Sequence, residues 1–205
     1  MALIAASACS APAGSLQGGD QVSIPGYKIL REVQLPGDTS RWDYQTYDPA
    51  TGRLYIAHLG QSQVIAFDTA TQNVVGVVDN VSDVHGLVVA PDIQRLFASA
   101  TGQNAIEVID TATLKVIALV PGGAYPDGIA YVPETAKIFI SDENGSGDTV
   151  VDVRTNQRVG QIDLGGDIGN SQYDPATNLV YVAVGSSNEL AAIDPQTNAV
   201  VAKYS

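Results

Sequence analysis

The feature that most constrains this chain is a pattern that repeats every 42 residues, as from Asp68 to Asp110, without a gap. Four aspartates at this interval are each followed three places later by threonine: Asp68, Asp110, Asp152 and Asp194. Aromatic residues and prolines keep the same step: Tyr55, Phe97, Phe139 and Tyr181, and Pro49, Pro91, Pro133 and Pro175. A period of about 20 to 50 residues is typical of solenoids, propellers and other repeat arrays.

The second unit shows what one repeat contains. An apolar run over 85–90 ends at Pro91, and proline cannot donate a hydrogen bond within a central ladder. Two short strands are predicted over 95–109, and Asp110–Thr113 is a turn because Asp and Thr side chains bond nearby backbone groups. A fourth strand is predicted over 114–120. Four short strands per unit, with no helix-length 3.6 periodicity, predict an all-β fold built from four-stranded antiparallel propeller blades.

The repeat resembles the YVTN-type β-propeller family, in which an aromatic-Val strand and a turn precede a Val-x-Val-Ile-Asp-x-x-Thr strand. Residues 179–183 read LVYVA and residues 191–197 read AAIDPQT. The residues at 41–44 and 48–55 are similar to the exported YncE-like members of that family. The resemblance covers 27–205, and it implies an exported bacterial propeller while saying little about chemistry.

The order of the units bears on whether the ring is complete. Residues 27–36 resemble an outermost strand that precedes any inner strand, and four blades are predicted at about 40–79, 82–121, 124–164 and 166–205. The last unit has its own outer strand, so the leading strand has no partner. We therefore expect a domain over 26–205 that is part of a seven-bladed propeller. A closed four-bladed ring with a loose N-terminal strand is the alternative.

The first 25 residues are predicted to be a signal or lipoprotein-like segment followed by a flexible tether. Ala6-Ser7-Ala8 fits a small-x-small cleavage site, and Cys9, the one cysteine, follows it as in a bacterial lipobox. The sequence departs from that pattern in two ways: Ala6 stands where a lipobox has leucine, and the first residues carry no positive charge. A plain signal peptide or a disordered tail are the alternatives. The prediction is therefore an exported protein that resides in the periplasm, at the outer membrane or on the cell surface. Cys9 is the predicted lipidation site, and its lipid would be the protein's sole attachment to a membrane.

The charge balance bears on partners. The chain has 22 acidic and 10 basic residues and a formal net charge of −12. Phosphate backbones are bound by clustered Lys and Arg, so this balance disfavours nucleic acid, including the single-stranded DNA binding suggested for a YncE-like relative.

Propeller ligands usually lie at the mouth of the central channel, which the loops before the innermost strands help to form. Asp43, His85, Asp127 and Gly169 are equivalent positions there. The candidate ligand-binding residues are Trp42, Asp43, Tyr44, His85, Tyr125, Asp127 and Asn170. Asp43, His85 and Asp127 could hold a divalent metal, which would polarise an ester or activate water. Alternatively, these residues only bond neighbouring blades and channel water. His58 is expected on the same face.

Residues 142–148 read DENGSGD, which matches the first half of a calcium loop but has Val153 at the twelfth place. A polar hairpin turn explains the same residues. No Gly-x-Ser-x-Gly, His-Glu-x-x-His, Cys-x-x-Cys or phosphate loop is present. The sequence favours a non-enzymatic scaffold whose binding face takes a protein, glycan or small ligand and needs no cofactor. The alternative is a metal-assisted, lactonase-like hydrolase.

Overall fold

The structure is a computed structural model that describes residues 25–29 and 31–205. The chain divides into Met1–Glu32 and Val33–Ser205, and every strand of the described residues lies in the second unit. The predicted signal segment and Cys9 lie outside the described residues. No helix in the described part of the chain is long and apolar enough to span a membrane.

Within the described residues, sixteen strands form four four-stranded antiparallel sheets, each ordered as the chain runs. Blade 1 contains β1 (Gln45–Asp48), β2 (Arg53–His58), β3 (Gln63–Asp68) and β4 (Asn73–Asp79). Blade 2 contains β5 (Val84–Ala90), β6 (Arg95–Ala100), β7 (Ala105–Asp110) and β8 (Lys115–Pro121). Blade 3 contains β9 (Pro126–Val132), β10 (Lys137–Asp142), β11 (Gly147–Asp152) and β12 (Gln157–Asp163). Blade 4 contains β13 (Ile168–Asp174), β14 (Leu179–Val184), β15 (Glu189–Asp194) and β16 (Ala199–Tyr204).

The only helical segments among these residues are four single 3₁₀ turns: Leu59–Gln61, Pro91–Ile93, Thr101–Gln103 and Gly185–Ser187. The predicted equivalence of the four units is confirmed, because the second residue of each second strand recurs at the repeat interval: Leu54, Leu96, Ile138 and Val180.

The repeated Asp-x-x-Thr turn joins the third and fourth strands. In blade 2 the Asp110 carboxylate accepts hydrogen bonds from the Thr113 amide and hydroxyl, both at 2.9 Å. Leu114 then takes a left-handed conformation with φ 55°. For that reason the fourth strand begins at Lys115, one residue later than the sequence pattern predicted, and it continues to Pro121.

Hydrophobic cores lie between successive blades. The blade 1–2 core includes Tyr55 and Leu96, the blade 2–3 core includes Phe97 and Ile138, and the blade 3–4 core includes Phe139 and Val180. Each repeated aromatic residue therefore faces the next blade. The repeat period builds the interfaces as well as the strands.

The innermost strands lie side by side around one axis. β5 contacts β1 and β9, and β9 also contacts β13, whereas no comparable contact joins β13 to β1 in the described residues. The four sheets are thus consecutive blades of a β-propeller arranged as an open arc, and the closed four-bladed alternative is not supported.

The leading strand predicted at 27–36 is not formed in the described residues of that range. A β-strand exists through the ladder it makes with a neighbour. Each described sheet already contains its own four strands. Val33 and Leu35 alternate as in a strand, but the segment has no neighbouring strand to pair with and therefore forms none.

Candidate functional site at the channel mouth

The predicted site residues occupy equivalent places where the innermost strands begin. His85, Asp127 and Gly169 are the second residues of β5, β9 and β13. Asp43 lies two residues before β1, yet its backbone also bonds to β2. The Asp43 amide donates to the Ala57 carbonyl at 3.0 Å.

Small residues allow the inner strands to approach closely at this end. A Cβ on Gly86 would overlap the carbonyl oxygen of Asp127. The hydroxyl of Ser99 donates to that same carbonyl at 2.6 Å. The hydroxyl of Thr101 donates to the Pro126 carbonyl, also at 2.6 Å. The backbone that carries Asp127 is therefore held firmly from blade 2.

His85 is buried and both of its ring nitrogens have neighbours. Nδ1 lies 2.8 Å from the Asp83 carbonyl oxygen, and Nε2 lies 3.2 Å from the Tyr125 hydroxyl. A carbonyl can only accept, so Nδ1 must carry a proton. In the neutral ring Nε2 is then the acceptor and Tyr125 donates to it.

Unusual backbone conformations create this pair. Asp83 and Tyr125 have φ of 46° and 61°, in the left-handed region. The amide of Tyr125 donates to the Asn104 side chain at 2.9 Å, which stabilises that conformation. The two rings then meet edge to face, with centroids 5.2 Å apart.

Asp127 is the chemically unsatisfied group of the mouth. Among the described residues, its Oδ1 is buried and has no hydrogen-bond partner. Burial raises the pKa of the carboxyl, while the neighbouring His85 lowers it and Asp43 raises it. A buried carboxylate oxygen that lacks a hydrogen-bond donor in the protein favours either protonation or a donor ligand.

Tyr44 faces the same charges. Burial, followed by the Asp127 and Asp43 carboxylates, raises the pKa of Tyr44 to about 12, while a hydrogen bond with Asn170 acts in the opposite direction. The phenol therefore stays neutral. The mouth combines a negative potential with aromatic surface.

The predicted metal site is not assembled. Within the described ranges, no group of three or more His, Cys, Asp or Glu side chains is arranged to hold a metal ion. Asp43 is instead paired with Arg41 at 2.9 Å, and His85 uses both ring nitrogens locally. Equivalent positions in adjacent blades bring these residues near one axis, but Asp43 and His85 have other partners and Oδ1 of Asp127 has none among the described residues. A metal bound by Asp43, His85 and Asp127 therefore stays a prediction, and among the described residues the three side chains are not grouped as ligands.

The polar hairpin that was the alternative to a calcium loop is confirmed. Asp142 ends β10 and Gly147 begins β11, and the two residues pair in the ladder. The Asp142 carboxylate accepts from the Gly123 amide at 3.0 Å and the Thr149 hydroxyl at 2.7 Å. Asp142 and Asp148, at the first and seventh places of such a loop, are both fully buried, whereas Glu143 is exposed.

Trp42 and His58 form a structural pair beside the mouth. Their rings stack with centroids 3.7 Å apart and planes 4° from parallel. His58 is fully buried, and its Nε2 lies 3.3 Å from the Ser40 hydroxyl. The equivalent positions in the other blades are also buried: Ala100, Asp142 and Val184. One face of the Trp42 ring is thus unavailable to a ligand.

Two residues near the mouth were missed by sequence reasoning. Arg41 pairs with Asp43, and the Glu143 amide donates to the Tyr125 carbonyl at 3.0 Å. Both Arg41 and Glu143 act on the electrostatics of Asp127. Arg41 stands two repeats before Tyr125, so the register of the repeat could have identified it.

Comparison with known proteins supports the fold alone. No protein-family model and no curated protein matches the chain. Among solved structures, the chain is similar to hydrazine synthase of Kuenenia stuttgartiensis, with a TM-score of 0.75 and 19% sequence identity. The match covers 86% of this chain and 52% of that chain. The chain thus spans about half the length of the structure it matches.

Proposed function

We propose that this chain is an exported, non-enzymatic β-propeller scaffold of the YVTN type that binds a small organic cation at its channel mouth. The observation that carries the proposal is the buried, unpartnered Oδ1 of Asp127, in a mouth that also holds Tyr44 and Asp43. The YVTN-like repeat and the signal-like residues before Cys9 support the exported scaffold.

The ligand class follows from charge and shape. An ammonium group would pair with the half-buried Asp127 carboxyl group and neutralise the charge that burial disfavours. Aromatic faces attract cations, and Tyr44 and Tyr125 supply aromatic rings beside the charge. The net charge of −12 raises the local concentration of cations and lowers that of anions.

The test is calorimetric titration with putrescine, a primary diamine, and with butanediol, its uncharged analogue. We expect putrescine to bind and butanediol not to bind. Asp127→Asn should weaken putrescine binding by about tenfold or more, as expected for loss of a charged hydrogen bond.

Asp163→Asn is the matched control for charge. Asp163 is exposed at the end of β12, and its carboxylate accepts from the Gly165 amide, a bond that asparagine can keep. This variant should bind putrescine as the original protein does. Equal weakening by both substitutions would show only a general charge effect and would contradict a site at Asp127.

A further inference from the structure

A cavity of about 330 Å³ lies between blades 1 and 2, at the end of the sheets opposite the channel mouth. It is formed by the β1–β2, β5–β6 and β7–β8 turns, whereas the mouth lies where the innermost strands begin. A volume of this order is at the lower end of the range for small-molecule sites. The residues that line it include Asp48, Ala50 and Arg53 of blade 1, and Pro91, Thr111 and Ala112 of blade 2.

The equivalent place between blades 2 and 3 is built differently. Two buried apolar residues, Ala90 and Val153, replace the polar residues of the cavity. The arginine of that position, Arg95, pairs with the Asp110 carboxylate of its own blade at 2.8 Å. The repeat therefore does not require polar groups at this place.

Between blades 3 and 4 a lysine stands at the position of Arg53. The ammonium group of Lys137 donates to the Pro195 carbonyl and to the Asn198 side chain, both at 2.9 Å. This cation is thus satisfied by the neighbouring blade.

Arg53 differs from both of its equivalents. Its guanidinium group donates to the Thr111 carbonyl at 2.7 Å, and it forms no ion pair with any described residue. A guanidinium group carries several N–H donors, so most of those on Arg53 have no acceptor in the described protein. Arg53 is also half-buried, and a charge that is partly removed from water favours a counter-ion.

The neighbouring Tyr55 adds an unused hydroxyl group. Tyr55 is fully buried, and among the described residues its hydroxyl has no hydrogen-bond partner. Burial raises the pKa of this phenol, and the adjacent Arg53 lowers it. Donors therefore exceed acceptors at this end of the blade 1–2 interface.

Asp48 does not supply the missing acceptor. Its carboxylate is buried and accepts from the Ala50 amide at 2.9 Å and the Thr51 hydroxyl at 2.7 Å. It is not within ion-pair distance of Arg53, although the two residues are partners in the β1–β2 ladder. Its charge and the net charge of −12 both oppose an anion, so we expect a weak site, with a Kd on the order of 1 mM.

We propose that this cavity binds a short aliphatic carboxylate. Arg53 would hold the carboxylate through two parallel N–H groups, the geometry in which a guanidinium group binds carboxylates most strongly. The hydrocarbon chain would lie against the apolar part of the wall, which is formed by Ala50, Pro91 and Ala112. An inorganic oxyanion would satisfy Arg53 but would leave that wall uncovered. The site lies at the other end of the propeller from the mouth and does not rest on the proposed function.

The experiment is an NMR titration of the isotopically labelled chain with butyrate. We expect saturable chemical-shift changes at the amides of Thr111 and Ala112. Butanol, which lacks the charge, and phosphate, which lacks the chain, should each bind about tenfold or more weakly than butyrate. Butyrate that causes no saturable change at these amides, or phosphate that binds as well as butyrate, would overturn the proposal.

Arg53→Gln should weaken butyrate binding by about tenfold or more, because it removes the charged donor. Arg154→Gln is the matched control. Arg154 is exposed on a turn of blade 3, and its backbone amide keeps its bond to Asp152. This variant loses the same charge and should bind butyrate normally. Equal weakening by both substitutions would show a general charge effect and would contradict a site at Arg53.

A second pair of variants tests the cavity if Arg53→Gln does not fold. Ala112→Leu places a larger side chain in the cavity wall and should weaken butyrate binding. The turn accepts long side chains, because Arg154 and Gln196 occupy its equivalents in blades 3 and 4. Ala70→Leu, at the equivalent exposed place in blade 1, is the control and should leave binding unchanged. Binding that survives Ala112→Leu unaltered would place butyrate outside this cavity.

Discussion

The hydroxyl of Ser171 donates a 2.6 Å hydrogen bond to the carboxylate of Asp148, across the boundary between blade 4 and blade 3. Asp148 is completely buried, and among the described residues its second oxygen has no hydrogen-bond partner. Burial raises the pKa of Asp148 from 3.8 to about 7. The Ser171 bond lowers it, and the nearby Asp142 carboxylate raises it further.

This carboxyl should make stability fall as pH rises. Its pKa is higher in the folded protein than in the unfolded chain, so the folded state holds more protons between about pH 4 and about pH 7. Its contribution to the free energy of unfolding is fully present below this window and decreases through it, by on the order of 1 kcal/mol per pH unit. Above the window the loss is complete.

The measurement is urea unfolding of the original protein and of Asp148→Asn across that pH window. Asparagine cannot ionise and can still accept from Ser171. The variant should therefore gain stability relative to the original protein as pH rises. Buried carboxyls that do not interact with Asp148 titrate in both proteins and cancel in the comparison. Parallel stability curves for the two proteins would contradict the assignment.

A second prediction concerns the close approach of the innermost strands. Gly86→Ala places a methyl group against the Asp127 backbone, which cannot move as a flexible side chain can. We expect a loss of about 1–3 kcal/mol in the free energy of unfolding, as for overpacked cores. Chemical unfolding measures the difference.

Gly160→Ala is the control for this prediction. Gly160 lies inside β12, and a Cβ there would meet its nearest atom, the Asn198 amide nitrogen, at 3.6 Å, an ordinary contact. Alanine also loses less backbone entropy than glycine on folding. This variant should therefore be as stable as the original protein or slightly more stable. A larger loss for Gly160→Ala than for Gly86→Ala would show that strand packing at the mouth is not the cause.

The sequence predicted the blades because their determinants are local and recur. The Asp110–Thr113 turn acts within four residues, and the position of Phe97 follows from strand alternation. The partners of Asp148 were not predictable in this way, because Ser171 reaches it only after two blades have packed. The repeat register likewise placed His85 near Asp127 but could not show that Tyr125 and Asp83 occupy its ring nitrogens.

The N-terminal prediction is tested by changing Cys9 to serine in the protein expressed with its own leader residues. If Cys9 is lipidated, the original protein should be in the membrane fraction and Cys9→Ser should be in the soluble fraction. A single acyl chain holds a protein to a membrane only marginally. Stable attachment therefore requires that the modified Cys9 carry at least two acyl chains. Cell fractionation followed by immunoblotting measures the distribution. The same distribution for both proteins would remove the lipobox interpretation and leave the plain signal peptide to be tested by N-terminal sequencing.

The last prediction concerns the pH dependence of cation binding, and it rests on the proposed function. In the free protein burial raises the pKa of Asp127, and a bound ammonium group would lower it because opposite charges stabilise the carboxylate. Binding should therefore release protons, and the affinity for putrescine should fall as pH falls through the pKa of the free carboxyl.

Above that pKa the carboxylate is already ionised, so the affinity should reach a plateau. Titration calorimetry in two buffers with different ionisation enthalpies measures the proton release directly. Asp127→Asn should abolish both the release and the fall in affinity at low pH. The diamine stays charged across this range, so its own titration contributes nothing. Binding to the original protein with no proton release at any pH below the plateau would mean that the cation does not pair with the Asp127 carboxyl group.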